Sequence, residues 1–209
     1  MDNDADVDIV TCTKDEEGRV LLYENREEGW QEHEIASLNG PGSWSTISDV
    51  NGDRNLDIVV GTVEGDIILL LHRESKDYVQ VIINDYEKIP IARLRGSEKG
   101  LCADIDGDSD VDILTHSSIL NLVVYYENPR WNQRIISDNV PDGIPQPRIG
   151  DVGDIDKDGD LDLTYGATNE MGWFENDPKA GEWQRHIIDF SRASLAPTVV
   201  RDMDLDSDL

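Results

Sequence analysis

The feature that most constrains this chain is an acidic cluster that recurs with one spacing. Asp or Asn occupies positions 1, 3, 5 and 9 of three nine-residue segments, at 49–57, 104–112 and 154–162. Successive clusters are separated by roughly 50 residues, and partial copies stand near both ends of the chain. One spacing repeated at a steady period indicates tandem copies of a structural unit rather than a set of solvated acidic turns.

Four short apolar segments follow each cluster before the next one begins. After the cluster at 49–57 they are "DIVVGT", "IILLLHR", "YVQVIIN" and "GLCADI". Gly, Asn, Asp or Pro separates such segments, and none has helical periodicity, so each is predicted to be a strand. Four-stranded units of this size are typical of propeller blades. We therefore predict an all-β fold, a β-propeller of four-stranded antiparallel blades, with four blade-repeats at approximately 1–48, 49–103, 104–153 and 154–209.

The clusters have the chemistry of a calcium site. Carboxylates at alternate residues of a tight turn can converge on one point, and several hard oxygen donors suit Ca²⁺. Position 7 would add its backbone carbonyl. The predicted ligands are Asp49, Asn51, Asp53 and Asp57; Asp104, Asp106, Asp108 and Asp112; and Asp154, Asp156, Asp158 and Asp162. An EF-hand is excluded because position 12 is Val60, Thr115 or Tyr165, not Glu, within strand-like segments.

Both ends of the chain cut through a cluster. The partial clusters add Asp2, Asp4 and Asp8 at the start and Asp202, Asp204 and Asp206 at the end as candidate ligands. Three arrangements stay open: a window on a longer propeller, which we favour, a closed ring of four in which a strand near 196–203 completes the first blade, or closure between two chains.

The charge of the chain limits its partners. Acidic residues number 45 against 18 basic ones, a formal charge of −27. Nucleic acid and anionic membrane surfaces are therefore excluded as partners. Outside the clusters the two signs are nearly balanced, so most of the excess is predicted metal-site charge. Apolar runs are too short for a membrane span, the amino end has no secretion signal, and Cys12 and Cys102 do not form a disulfide framework.

Two segments carry a specific family resemblance. "GDVGDIDKDGDLDLTYGAT" at 150–168 and "SDVNGDRNLDIVVGT" at 48–62 resemble the FG-GAP repeat, also called the VCBS repeat, of integrin alpha-chain propellers and many secreted proteins. The resemblance covers essentially the whole chain. It implies a loop between the first and second strands of a blade that binds calcium through positions 1, 3, 5 and 9. The Phe-Gly and Gly-Ala-Pro tags are largely missing, which argues against an integrin-like partner.

The cluster at 49–57 departs from this pattern. Arg54 stands where the family has Gly, and position 3 is the neutral Asn51. We predict that it is the weakest of the three complete sites.

The tryptophans are assigned from their places in the repeat. Trp30, Trp131 and Trp183 are equivalent and are predicted to pack between blades. Trp44 has no counterpart, which makes it the best candidate for surface binding, although core or edge packing is the favoured interpretation.

The expected function is binding without catalysis. A paired-carboxylate glycosidase needs one asymmetric constellation, whereas every repeat here carries the same set. Three roles stay open: a propeller that binds a protein partner, a carbohydrate-binding, lectin-like propeller, and a calcium-stabilised accessory module of a larger secreted polysaccharide-active enzyme. We expect an extracellular or cell-surface location, because calcium modules there bind at ~10⁻⁴ to 10⁻³ M.

Overall fold

The computed structural model describes residues 7–73, 86–138, 146–190 and 198–201, which consist of strands and their connections without a helix. The predicted ligands Asp2, Asp4, Asp202, Asp204 and Asp206 lie outside the described residues. The strands form four antiparallel sheets, which confirms the all-β class. No helix in these ranges could cross a membrane. The chain divides into two compact units, Met1–Gly100 and Leu101–Leu209.

The first unit contains two sheets. The first sheet has three strands among the described residues: β1 (Ile9–Cys12), β2 (Arg19–Arg26) and β3 (Gly29–Ser37). The second sheet has four: β4 (Gly42–Ser48), β5 (Asp57–Thr62), β6 (Asp66–His72) and β7 (Tyr86–Arg93). In both sheets the strands neighbour one another in chain order.

The second unit contains the other two sheets, apart from the first residues of β8. The third sheet consists of β8 (Ser97–Ala103), β9 (Asp112–Ser117), β10 (Leu122–Glu127) and β11 (Asn132–Ser137). The fourth consists of β12 (Arg148–Gly153), β13 (Asp162–Gly166), β14 (Met171–Asp177) and β15 (Glu182–Asp189). Each is again a meander in chain order.

Each complete Asp cluster is the hairpin loop between the first two strands of a four-stranded sheet. In the second sheet, for example, Ser48 before the cluster pairs with Asp57 at its end. The sheets therefore begin one strand before the cluster. The last two strands of every sheet also pair with a register shift, as between Val20 and Leu21 or between Val123 and Val124. This repeated irregularity shows that the four sheets are copies of one pattern.

The strands that follow the clusters form the core. β5, β9 and β13 are buried along their whole length, because they lie inside a sheet and carry apolar residues on both faces. In the first unit Val20 and Leu22 of the first sheet pack with Ile58 and Leu70 of the second. Each fully buried aliphatic side chain contributes about 1.5–3 kcal/mol. This core fixes the start of each second strand, where the clusters end.

The tryptophans divide between the core and the surface. Trp44 is only 7% exposed, and its Nε1 donates to Ser97 Oγ at 2.7 Å. Its ring lies against Gly61 and Gly100, where an added Cβ would come within 2.1 Å of the indole. Core packing of Trp44 is therefore confirmed, and it is not a surface-binding residue. Trp30, in contrast, is 54% exposed, whereas the equivalent Trp183 packs against the core of the second unit.

Half of segment 196–203 lies outside the described residues. Within 198–201, Thr198 donates to Thr164 Oγ1 at 2.6 Å, and Arg201 contacts Asp151 at 3.0 Å. These residues therefore pack against the fourth sheet.

Candidate metal-binding loops

The loops 49–57, 104–112 and 154–162 have the same backbone conformation. Positions 4 and 6 of each lie in the left-handed region, which glycine adopts most readily. The six residues, with their φ angles, are Gly52 (74°), Arg54 (73°), Gly107 (76°), Ser109 (78°), Lys157 (65°) and Gly159 (99°). Each loop thus places one glycine and one residue with a side chain in this region, and the spacing in the sequence correctly indicates one shared turn.

The acidic side chains hold their own turn in shape. In loop 104–112, Asp106 Oδ1 accepts the N–H of Asp108 at 3.3 Å, and Asp108 Oδ1 accepts the N–H of Asp110 at 2.9 Å. Loop 154–162 repeats both bonds, at 3.1 and 3.0 Å. Such Asx turns are the usual way in which Asp bends a chain. These bonds preorganise the two loops and engage one oxygen of each carboxylate at positions 3 and 5.

The Asp at position 1 has a buried oxygen with no donor in two of the loops. Oδ2 of Asp104 accepts the N–H of Ser109 at 3.0 Å, and Oδ2 of Asp154 accepts the N–H of Gly159 at 3.2 Å. Oδ1 of both residues is buried without a hydrogen-bond partner. Burying a carboxylate oxygen unpaired costs several kcal/mol. A cation is the partner that would remove this cost.

The same two loops bring three carboxylates together. Oxygens of Asp104, Asp106 and Asp108 lie within 4.8 Å of one another. In loop 154–162 the group is Asp154, Asp156 and Asp162. Both groups could hold a metal ion. The remaining predicted ligands of these loops, Asp112 and Asp158, are not in the groups but belong to the same turns.

Loop 49–57 does not form such a group among its described carboxylates. Both oxygens of Asp49 accept backbone N–H groups, from Asp53 at 3.0 Å and from Arg54 at 2.8 Å. The amide of Asn51 donates to Asp53 Oδ2 at 3.1 Å. Hydrogen bonds within the chain therefore occupy both oxygens of Asp49, although Asn55 Nδ2 is buried without a partner.

The Asp at position 9 ties each loop to the sheet. Asp57, Asp112 and Asp162 are fully buried. Oδ2 of each accepts the N–H of position 2: Val50 at 2.9 Å, Ile105 at 3.3 Å and Ile155 at 2.8 Å. Oδ1 accepts an N–H at the end of the third strand: His72 at 2.8 Å, Asn128 at 2.9 Å and Asn176 at 3.0 Å. Asp8 makes the corresponding bond with Asn25 at 3.1 Å.

This structural role was not predicted from the sequence, which suggested only a metal ligand. The available signal is that position 9 directly precedes an apolar segment, so the Asp becomes the first residue of a buried strand.

Burial and mutual repulsion disfavour charge in these loops. Burial raises the pKa of Asp112 to about 7, and the charges of Asp106 and Asp108 contribute, although backbone N–H groups act in the opposite direction. Burial also raises the pKa values of Asp57 and Asp162. The pKa of Asp106 is raised by burial and by the neighbouring Asp108. A bound cation would stabilise the charged form of all these groups.

Comparison with known proteins gives no family assignment. No protein-family model matches the chain, and a search of curated proteins found no match. The resemblance to the FG-GAP repeat therefore stays a prediction that depends on the Asp clusters.

Proposed function

We propose that this chain is a calcium-stabilised β-propeller domain that binds a protein partner and has no catalytic activity of its own. Four consecutive sheets with one strand order, three of which carry the same loop at the same place, support a blade-repeat architecture. The proposed radial arrangement can be tested by small-angle scattering, because a ring of blades gives a compact particle and a row of sheets an elongated one.

The observation that carries the metal proposal is the unpaired, buried Oδ1 of Asp104 and of Asp154. Each lies in a group of three carboxylates, so an ion there would meet several negative oxygens at once. All-oxygen donors favour Ca²⁺ or Mg²⁺ over softer metals. Ca²⁺ accepts six to eight oxygens in loose geometry, whereas Mg²⁺ requires a near-ideal octahedron. The irregular set of aspartate oxygens in these turns fits the loose coordination of Ca²⁺ better than the octahedron of Mg²⁺.

The proposed role of the ion is to stabilise the hairpins. Asp104, Asp106 and Asp108 with Asp112 would hold one ion, and Asp154, Asp156 and Asp162 with Asp158 a second. Because the position-9 Asp also accepts an N–H of the third strand, an ion would connect the loop to three strands of its sheet. Ligand that binds only the folded state stabilises it by about 2.7 kcal/mol per site at 100 times Kd.

Thermal unfolding with and without calcium tests this role. We expect the melting temperature to fall by several degrees on removal of Ca²⁺ with EGTA, to recover with CaCl₂, and to recover less with MgCl₂. The matched control is the double variant Asp104→Asn/Asp154→Asn, whose melting should respond much less to either addition. An unchanged melting temperature in excess EGTA would contradict the proposal.

An extracellular or cell-surface location belongs to the same proposal. Sites of modest affinity fill at the millimolar Ca²⁺ concentration outside cells, because calcium modules there bind at ~10⁻⁴ to 10⁻³ M. Calorimetric titration of the EGTA-treated chain with CaCl₂ measures the affinity, and values in that range would support this location.

A further inference from the structure

A cleft opens between the third and fourth sheets, within the second unit. Its volume is about 400 Å³, which is in the range of small-ligand sites. β10 and β11 supply one wall, β14, β15 and their connection the other, and loop 104–112 adds two side chains. The lining residues that matter here are Asp106, Asp108, Tyr125, Glu127, Arg134 and Trp183.

Two aromatic side chains give the cleft apolar walls. Tyr125 and Trp183 are both half-buried and both pack against the core of the second unit. Ile135, which also lines the cleft, is 54% exposed. Aromatic faces flanking a polar space accept an aliphatic stem, and they attract a cation placed over the ring.

The polar groups of the cleft are mainly negative. Three carboxylates, of Asp106, Asp108 and Glu127, face the single guanidinium of Arg134. Nε of Arg134 already donates to Glu127 Oε2 at 2.6 Å. A divalent ion would not reverse the sign, because loop 104–112 carries aspartates at all five odd positions. The cleft and the loop beside it therefore keep a net negative charge with or without the ion.

This cleft is not a generic product of the repeat. In the third sheet Tyr125 is paired with Arg134. The corresponding pairs are Leu22 with His33, Leu69 with Ile89 and Trp173 with His186. The combination of a phenol ring and a guanidinium occurs only in the third sheet among these pairs. A binding site needs such an individual constellation.

From these features we propose that the cleft binds a basic side chain, Lys or Arg, of a protein partner. The cationic head lies near Asp108 and Glu127, and the methylene stem lies against Tyr125 and Trp183. This inference rests on the proposed binding function and names the chemistry of the partner. The formal charge of −27 would also speed the approach of a basic partner.

Nuclear magnetic resonance of the indole N–H groups tests the proposal directly. The full chain is titrated with Nα-acetyl-lysine methylamide and, as a neutral control with the same four-carbon stem but no ammonium group, Nα-acetyl-norleucine methylamide. Trp183→Phe assigns the Trp183 signal, and the buried Trp44 is an internal control. We expect a saturable shift of Trp183 with the lysine compound, with at least tenfold weaker binding of the norleucine compound, in both Ca²⁺ and EGTA.

Charge variants outside the metal loops sharpen the test. Arg134→Gln should tighten lysine binding and Glu127→Gln weaken it, each by about threefold or more, because a unit charge within a few ångströms of the ammonium is removed. Tyr125→Leu, which introduces the residue of the second sheet, should weaken binding without changing the charge.

Three outcomes overturn the inference: equal binding of both amides, no shift of the Trp183 signal, or a stronger shift with a neutral methyl glycoside. None of them affects the separate test of calcium by melting.

Discussion

Loops 49–57 and 104–112 fold into the same turn but satisfy their side chains in different ways. In loop 49–57 backbone N–H groups occupy both oxygens of Asp49. In loop 104–112 the backbone occupies one oxygen of Asp104 and leaves the other buried without a donor. The position-1 carboxylate is thus saturated by the chain in the first loop, whereas in the second it keeps one oxygen that could bind a cation.

The pKa shifts of the aspartates also differ between the two loops. Burial acts to raise the pKa of Asp53, but hydrogen bonds from Asn55 and Asn51 outweigh it and the pKa is lowered. In loop 104–112 position 3 is Asp106, which corresponds to Asn51. Burial and the charge of Asp108 raise the pKa of Asp106. The neutral Asn51 at position 3 thus donates a hydrogen bond to the position-5 carboxylate, whereas Asp106 at position 3 repels it. The backbone turn forms in both loops. The number and placement of carboxylates in a loop determine whether that loop favours a bound ion.

Replacing a position-9 aspartate should cause the largest loss in the free energy of unfolding. At this position the loops are alike. Asp162→Ala removes the acceptor of two buried N–H groups, those of Ile155 and Asn176. Hydrogen bonds to a charged group are worth about 1.5–3 kcal/mol each, so we expect a loss of about 4 kcal/mol. Asp57→Ala should cost about as much in EGTA, because it breaks the same pair of bonds. In Ca²⁺ Asp162→Ala should be the more damaging of the two.

Denaturant unfolding of both variants in EGTA and in Ca²⁺ measures these losses. A mild Asp57→Ala beside a severe Asp162→Ala in EGTA would show that the buried aspartates do not share a structural role.

A second prediction separates the loops at position 1. Asp104→Asn should lower calcium affinity at one site by tenfold or more, since it removes a charge from a converging group. Asp49→Asn should change calcium binding much less, because its oxygens already accept backbone N–H groups. Calorimetric titration of the two variants decides the matter. If Asp49→Asn caused the greater loss, loop 49–57 would be the principal site and the comparison would be reversed.

Much of this architecture was predictable from local sequence. Strand order followed from apolar segments separated by turn residues, and the shared turn followed from one spacing of Asp. The bonds of the position-9 aspartates were not predictable, because the N–H groups they accept, such as that of His72, come from a strand 15 residues away.

The burial of the tryptophans could not be predicted from the repeat pattern, because it also depends on residues of other strands. Trp44 is buried because Gly61 and Gly100, on other strands, leave room for its ring. Trp30 begins a strand at the edge of its sheet and stays exposed. The burial of a tryptophan thus depends on residues of other strands, which the repeat pattern does not specify.

The pH dependence of the calcium-free protein tests the charge difference. The folded-state pKa of Asp112, about 7, lies above its ordinary value of 3.8. The folded state therefore binds more protons between these values, and stability falls as the pH rises from about 4 to about 7. In EGTA we expect the melting temperature to decrease from pH 5 to pH 8, and Asp112→Asn to flatten this slope.

The matched variant is Asp57→Asn, whose loop has fewer carboxylates near position 9. It should flatten the slope less. Added Ca²⁺ should reverse the trend at low pH, because protons then compete with the ion. A slope in EGTA that Asp112→Asn leaves unchanged would place the titrating groups elsewhere.

The smallest effect concerns the backbone at position 6, where loop 49–57 carries Arg54 at a φ of 73°. A residue with a Cβ pays about 1 kcal/mol or more in this region, so Arg54→Gly should stabilise the fold by roughly 0.5–1 kcal/mol. In a chain of this size that corresponds to about 1–4 °C in melting temperature. Arg54→Ser, which introduces the residue of loop 104–112, removes the charge but keeps the Cβ and should give no such gain. Equal gains from Gly and Ser would mean that the charge of Arg54, and not its backbone conformation, destabilises the loop.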